Sequence, residues 1–224
     1  MQSGNRRGIL ISFEGIDGAG KSTLARRVSF ALSSLGFPVL LTQEPAGTFI
    51  GRELDTLLKN NHGSIGPCAE YLTFAAARAE HFEKLVIPAL TEGKIILSDR
   101  MGDSSIAYQG YGRGLDIAFI EMVNNFVMRG TIPNLTVYLS LDVETAQQRI
   151  TSRSQQASGF DRERKDMILK IKQGFDAIMD KKETSLILDG RQELDELSSI
   201  TVQKIIDCYH ANPTSDPTRS PTTY

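Results

Sequence analysis

The run Gly15-Ile16-Asp17-Gly18-Ala19-Gly20-Lys21-Ser22 fits the pattern G-x-x-x-x-G-K-[ST]. Its chemistry is phosphate binding. Successive backbone N–H groups of such a loop wrap an anion, and the helix that follows points its positive end at it. In this pattern Gly15, Gly18, Ala19 and Gly20 supply the backbone and Lys21 reaches the β- and γ-phosphates of a nucleotide. Ser22 holds Mg²⁺, and Thr23 after it belongs to the same nucleotide-binding set. An accidental glycine turn is the competing reading. A second polar cluster lies far along the chain: Asp99-Arg100, then Asp103 through Gly110. Asp99 ends an apolar strand, where a carboxylate can meet Mg²⁺ through water. Arg100 carries a planar fork able to bridge two phosphates. Taken alone, Asp99-Arg100 reads equally well as a surface ion pair.

The elements that must hold these residues are also written in the chain. Ile9 to Phe13 is a short apolar run that enters the glycine-rich turn, and Lys21 to Leu35 repeats Leu24, Val28, Ala31, Leu32 and Leu35 at a helical period. Gly36 and Pro38 end that helix. Val39–Thr42, Ile95–Ser98, Leu135–Leu141 and Ser185–Leu188 read as further strands. Between them the pattern predicts helices over Gly51–Leu58, Pro67–Glu92 with a bend at Pro88, Asp116–Arg129 capped by Asp116, Val143–Ser152, Glu163–Met179 and Leu194–Tyr209. A glycine-dotted stretch spans Gly102–Gly114, and a polar loop spans Arg153–Arg162. Such alternation implies an α/β fold: a mostly parallel five-stranded sheet flanked by helices, with ligands at the carboxyl ends of the strands. Residues 1–210 read as a single domain. From 211 to 224 the Thr/Ser-rich segment has no apolar period, and Pro213, Pro217 and Pro221 interrupt it, so it is expected to be a disordered tail.

Composition narrows the function classes. The net charge of −2 argues against a protein that coats nucleic acid, and 40% hydrophobic residues are too many for a disordered chain. No apolar run approaches the roughly 20 residues of a membrane span. The run after Met1–Gly8 is too short for a signal peptide. Cys68 and Cys208 make neither a disulfide framework nor a zinc site, and His62, His81 and His210 are scattered, as surface or satisfied core histidines are. The expectation is a cytoplasmic enzyme without nucleic-acid or membrane partners. Among phosphate-loop proteins, no Asn-Lys-x-Asp guanine reader marks a GTPase, and the chain is short for a motor ATPase.

Several blocks together resemble the thymidylate kinase family. They are Phe13-Glu14-Gly15 through Thr23, Glu44-Pro45-Ala46-Gly47-Thr48, Phe74 through His81, Asp99-Arg100 through Tyr108-Gln109-Gly110, Arg113-Gly114 and Asp161-Arg162. Their order and spacing cover about residues 9–209. The resemblance implies a nucleoside-monophosphate-kinase-like P-loop fold and transfer of the γ-phosphoryl group of Mg-ATP to dTMP, giving dTDP for dTTP synthesis. It also implies a homodimer. Asp17 looks like the carboxylate that accepts the sugar 3′-hydroxyl. Phe74 looks like the platform under thymine, and Arg78, one turn on, like the donor to its O4. Ser105 and Gln109 look like base-edge contacts, Tyr108 like the ring that crowds a 2′-hydroxyl, and Arg100 like the clamp on the acceptor phosphate.

Gly18 stands where some relatives carry a catalytic arginine. Relatives of the bacterial type with glycine there take the arginine from a lid loop, here residues 153–162, which points to Arg153, then Arg149, then Arg162. The sequence also departs from the family's pattern. Gln43-Glu44-Pro45-Ala46-Gly47 replaces Arg-Glu-Pro-Gly-Gly, Asp55 replaces an arginine, Met101 replaces an aromatic, and the stretch after Arg162 is short. Arg52, three residues before Asp55, is the expected substitute cation for the acceptor phosphate. Two alternatives stay open: another P-loop nucleoside or nucleotide kinase, and a nucleotide-binding regulator with weak turnover.

Overall fold

The computed structural model describes residues 7–61, 63–153 and 165–212. His62, the expected lid after Arg153 with Asp161 and Arg162, and the chain from Pro213 onward lie outside these residues.

β1 (Ile9–Glu14) is buried along its whole length, as a central strand covered on both faces must be. α1 (Lys21–Ser34) follows the glycine-rich turn and buries Leu24, Val28 and Leu32, which share one helix face. β2 (Val39–Gln43) leads to α2 (Phe49–Asn60), which is longer than its expected span. The Thr48 hydroxyl closes its first turn by accepting from the Gly51 N–H at 2.9 Å. α3 (Pro67–His81) starts on proline, which lacks only a donor that a helix start leaves unused.

The expected single helix with a bend at Pro88 is instead two helices. A π-helical turn over Phe82–Val86 separates α3 from α4 (Ile87–Thr91). The wider turn makes room for the Pro88 ring and its missing N–H. After β3 (Ile95–Asp99) the glycine-dotted stretch is helical through Gly112: α5 (Gly102–Ser105), then a π-helical turn over Ile106–Gly112. That turn puts Tyr108 and Gln109 on a rigid rod directly after Ser105. α6 (Ile117–Val127) is capped as expected, with Asp116 Oδ1 accepting from the Phe119 N–H at 2.7 Å. β4 (Leu135–Ser140), α7 (Val143–Arg153), α8 (Lys165–Met179), β5 (Ser185–Asp189) and α9 (Leu194–Ala211) complete the described chain. α9 passes its expected end at Tyr209. Asn212 then donates to the Arg7 carbonyl at 2.8 Å, so the ordered fold reaches into the expected tail.

The five strands form one sheet in the order β2-β3-β1-β4-β5, and every pair is parallel. Alternation along β1 builds both cores. Ile9, Ile11 and Phe13 face Leu24, Val28, Val137 and Phe175, while Leu10 faces Phe82, Val86, Ile96 and Met128. β2 and β3 lie on one side of β1, with β4 and β5 on the other, so the connections diverge at its carboxyl end. That divergence opens the crevice in which parallel sheets bind ligands. The register sets Phe13 beside Asp99, which brings the loop after β1 and the Asp99-Arg100 pair to one place.

Candidate active site

The loop from Gly15 to Gly20 joins β1 to α1 as the pattern requires. Gly18 has φ +83°, and a Cβ there would lie 2.5 Å from the Ala146 carbonyl oxygen on α7. No side chain fits at this point, an arginine included. Lys21 is buried and donates to the Ile16 carbonyl at 2.8 Å, inside the loop. Burial pulls its pKa down to about 8, and the charge of Arg100 adds to that. Ser22 donates its hydroxyl to Asp99 Oδ2. The other oxygen, Asp99 Oδ1, is buried with no hydrogen-bond partner. A hydroxyl and a half-satisfied carboxylate at the mouth of a phosphate loop suit Mg²⁺, which takes few protein ligands and fills its octahedron with water and substrate phosphates. Among the described residues there is no cluster of three or more His, Cys, Asp or Glu side chains able to hold a metal by themselves.

Asp17 and Arg100 form the centre of the site. The Arg100 guanidinium donates to Asp17 Oδ1, to the Ser104 hydroxyl at 3.1 Å and, more weakly, to the Tyr108 hydroxyl at 3.3 Å. Tyr108 donates to Asp17 Oδ2 at 2.8 Å, and its ring lies 5.0 Å from the guanidinium carbon. Burial works against the Asp17 charge, but Arg100, with help from Lys21 and the Tyr108 hydroxyl, outweighs it and holds the carboxyl below its ordinary range. Arg100 is itself penalised by burial and raised by Asp17, and the carboxylate prevails. Its φ of +72° is a conformation that side-chain-bearing residues rarely adopt. Three contacts impose it: the Arg100 N–H on the Phe13 carbonyl at 3.0 Å, Ser98 Oγ on the Arg100 carbonyl at 2.8 Å, and the Met101 N–H on Glu14 Oε1 at 2.8 Å. Glu14 also accepts from Ser104 Oγ at 2.6 Å. Burial, then the nearby Asp103, pushes the Glu14 pKa up to about 7.

These groups open onto a cavity of about 230 Å³. Asp17, Phe74, Arg78, Asp99, Arg100, Ser105, Tyr108 and Gln109 all line it. α3 supplies Phe74 and Arg78 from one face, as their spacing predicts. Arg78 is less free than its sequence position suggests. It donates to Glu44 Oε2 at 2.7 Å, Asn124 Oδ1 at 2.6 Å, the Met101 carbonyl at 3.2 Å and Ser105 Oγ at 3.1 Å. One N–H on Nη1 remains for a ligand. Gln109 donates Nε2 to Glu70 at 3.0 Å, and Arg113 grips the same carboxylate at 3.1 Å. The Gln109 amide therefore keeps its oxygen as the free group. His81 is a satisfied core histidine, bonded to Glu44 Oε1 at 3.2 Å and Thr42 Oγ1 at 2.8 Å.

Not every expected site residue comes to the cavity. Arg52 is exposed on α2 and does not line it, whereas Asp55 and Lys59 do. Arg52 and Lys59 lie about 20° apart around α2 but two turns apart along it, and only the later one reaches the opening. Arg149 is half-buried on α7 and adds to the positive surroundings of Asp189, whose carboxyl is held at about 2 mainly by hydrogen bonds from Arg191. Arg153 ends α7, while its side chain and all of Arg162 lie outside the described residues. Sequence reasoning gave no role to Glu14, Glu70, Ser104 or Asn124. Ser104 lines the cavity itself, the other three touch cavity residues from behind, and no local spacing gives any of them a role.

Residues 13–200 match the family model described as Thymidylate kinase. The thymidylate kinase of Pelotomaculum thermopropionicum is 41% identical over 173 residues, 77% of this chain and 80% of that protein. The thymidylate kinase of Halothermothrix orenii is 40% identical over 205 residues, 90% of this chain and 98% of that protein. Among solved structures, thymidylate kinase from Ehrlichia chaffeensis superposes with a TM-score of 0.73 at 28% identity, covering 88% of this chain and 98% of that one.

Proposed function

The chain belongs to the thymidylate kinase family, and from that premise we propose that it transfers the γ-phosphoryl group of Mg-ATP to the phosphate of dTMP, giving ADP and dTDP. The observation that carries this reading is the contact between the phosphate loop and the neighbouring cavity, where Arg100 and Tyr108 share Asp17. Donor and acceptor phosphates meet only if they are bound on the two sides of that junction. In this reading thymine lies on Phe74, the remaining N–H of Arg78 donates to O4, and Ser105 and the Gln109 carbonyl face the base edge. Tyr108 crowds the 2′ position. Asp17 accepts from the 3′-hydroxyl through lone pairs that Arg100 and Tyr108 leave open.

No protein nucleophile is required. Catalysis is in-line positioning plus neutralisation of phosphate charge. Lys21 turns from the Ile16 carbonyl to the donor's β- and γ-phosphates, and Arg100 holds the acceptor phosphate. Ser22 and, through water, Asp99 would hold Mg²⁺, which when bound screens the negative charge of the transferring group.

The panel that tests this is ADP release with dTMP, dUMP, dGMP and CMP as acceptors. dTMP is expected to be best. dUMP should be about 10- to 200-fold poorer, because one missing methyl is worth about 1–3 kcal/mol, and the others should be poorer still. Faster turnover of dGMP or CMP than of dTMP at equal concentration would overturn the reading.

Homodimer formation and a cytoplasmic setting belong to the same proposal. Two observations support them. α3 and α6 meet through Tyr71 and Phe119 and leave Leu72, Met122 and Phe126 exposed, at 45%, 62% and 75%. Isolated monomers seldom display so apolar a face. Cys68 and Cys208 are unpaired, which suits a reducing compartment. Sedimentation should therefore give a dimer for the wild type and a monomer for Met122→Glu/Phe126→Glu. An unchanged sedimentation coefficient in the double variant would remove this face as the interface.

A further inference from the structure

We propose that Lys59 on α2 is the mobile cation that receives the acceptor's phosphate, with Asp55 holding it over the cavity until that phosphate arrives. The inference rests on the dTMP reading above and adds a residue that neither the phosphate-loop pattern nor the spacing around Asp55 singles out.

The charges lining the cavity lead to it. The carboxylates are Asp17, Glu44, Asp55 and Asp99, and the cations are Lys59, Arg78 and Arg100. A nucleoside monophosphate brings a dianion into a lining that already holds more carboxylates than cations, so its phosphate needs a cation that is free to turn toward it. Arg78 is not free, because Glu44, Asn124, Ser105 and the Met101 carbonyl take four of its five donors and the fifth goes to the base O4 in the reading above. Arg100 divides itself among Asp17, Ser104 and Tyr108.

Lys59 differs from both. Its ammonium contacts Asp55 Oδ2 at 2.6 Å, one turn back on the same helix, and its side chain is 52% exposed against 18% for Asp55. Pairs of this kind are weak, and an ammonium has three donors on a flexible stem. It can swing to a phosphate oxygen at little cost, or bridge phosphate and Asp55. Asp55 keeps it near the opening in the free protein, where an unpaired lysine would sample solvent. Among the described residues no ion pair anchors Arg52, which is exposed and lies off the cavity lining.

Thymidine and dTMP differ by the phosphate alone, so titration calorimetry of the full chain with each, without ATP, isolates the contact. Lys59→Met should weaken dTMP about tenfold or more, as expected for losing one charge-assisted contact, while thymidine affinity stays within about twofold. Lys59→Arg should restore dTMP binding to within about threefold of wild type, and Arg52→Met should leave both ligands within about twofold. Wild-type dTMP affinity in Lys59→Met overturns the inference. So does equal loss of dTMP and thymidine, which would mark a change of cavity shape, or failure of Lys59→Arg to restore binding. A wild-type chain that binds neither ligand overturns the substrate reading itself, and does so before any variant is made.

Discussion

An Arg100→Ala enzyme is expected to lose about 30- to 5,000-fold in kcat/KM for dTMP, the equivalent of about 2–5 kcal/mol for removing one partner of a half-buried, hydrogen-bonded charge pair that also clamps the substrate. Two losses combine in that figure. The acceptor phosphate loses its clamp, and the half-buried Asp17 is left with only Tyr108 and the more distant Lys21 to oppose the cost of its charge. Arg52→Ala should fall within about twofold of wild type, since Arg52 is exposed and off the cavity lining. The backbone allows a further separation. Arg100 sits at φ +72°, so alanine keeps the strain of a Cβ there while glycine releases it. Arg100→Gly and Arg100→Ala should therefore be equally poor enzymes, with the glycine variant the more heat-stable by about 1 kcal/mol. Near-normal kcat in both would take Arg100 out of the site. A glycine variant that recovered activity would show that loop geometry, rather than the guanidinium, had been lost.

The phosphate loop was legible because its chemistry lies in the backbone: glycines that permit +φ, followed by a lysine and a serine at fixed offsets, need no distant partner to be recognised. Sheet and helix order were legible from period-2 and period-3.6 patterns, and Asp116 from its position as a cap. What stayed hidden depends on tertiary approach. Glu14, at the end of β1, shapes the Arg100 turn after the neighbouring β3, Glu70 fixes the amide of Gln109, and Asn124 reaches Arg78 from α6. No local spacing encodes these meetings. Arg52, the expected cation, lies off the cavity lining that Lys59 joins, and the reason is related. Helical spacing tells which residues share a face but not which turn of that face reaches the ligand. Likewise the two π-helical turns arise where a proline ring or a run of glycines meets packing that favours a wider turn, and period counting is blind to that competition.

Substituting the right arginine after β4 should cost more than any other single change, about 10³- to 10⁵-fold in kcat. Charge on the γ-phosphoryl group must be neutralised as it leaves ADP, and the groups described around the donor do not suffice. In the proposed reaction Lys21 is committed to the donor phosphates in the ground state. In the same proposal Arg100, bonded to Asp17, is given to the acceptor. The phosphate loop cannot supply an arginine of its own, because the space a Gly18 side chain would need is taken by the Ala146 carbonyl. The same approach sets α7 beside the loop. We propose Arg153, the last residue of α7, as the source. Arg149, one turn earlier on the same face, is second because the acidic end of β5 already draws its charge, and Arg162 is third because Asp161 precedes it as a ready partner. Alanine and lysine substitutions at each position, assayed at saturating ATP and dTMP, distinguish the three. Lysine should recover only part of the loss, since it supplies charge without the planar fork. If all three alanine variants keep more than about a tenth of wild-type kcat, the deficit is under about 1.4 kcal/mol, too small for a transition-state arginine. The missing charge would then have to come from Arg100, the metal or the second subunit.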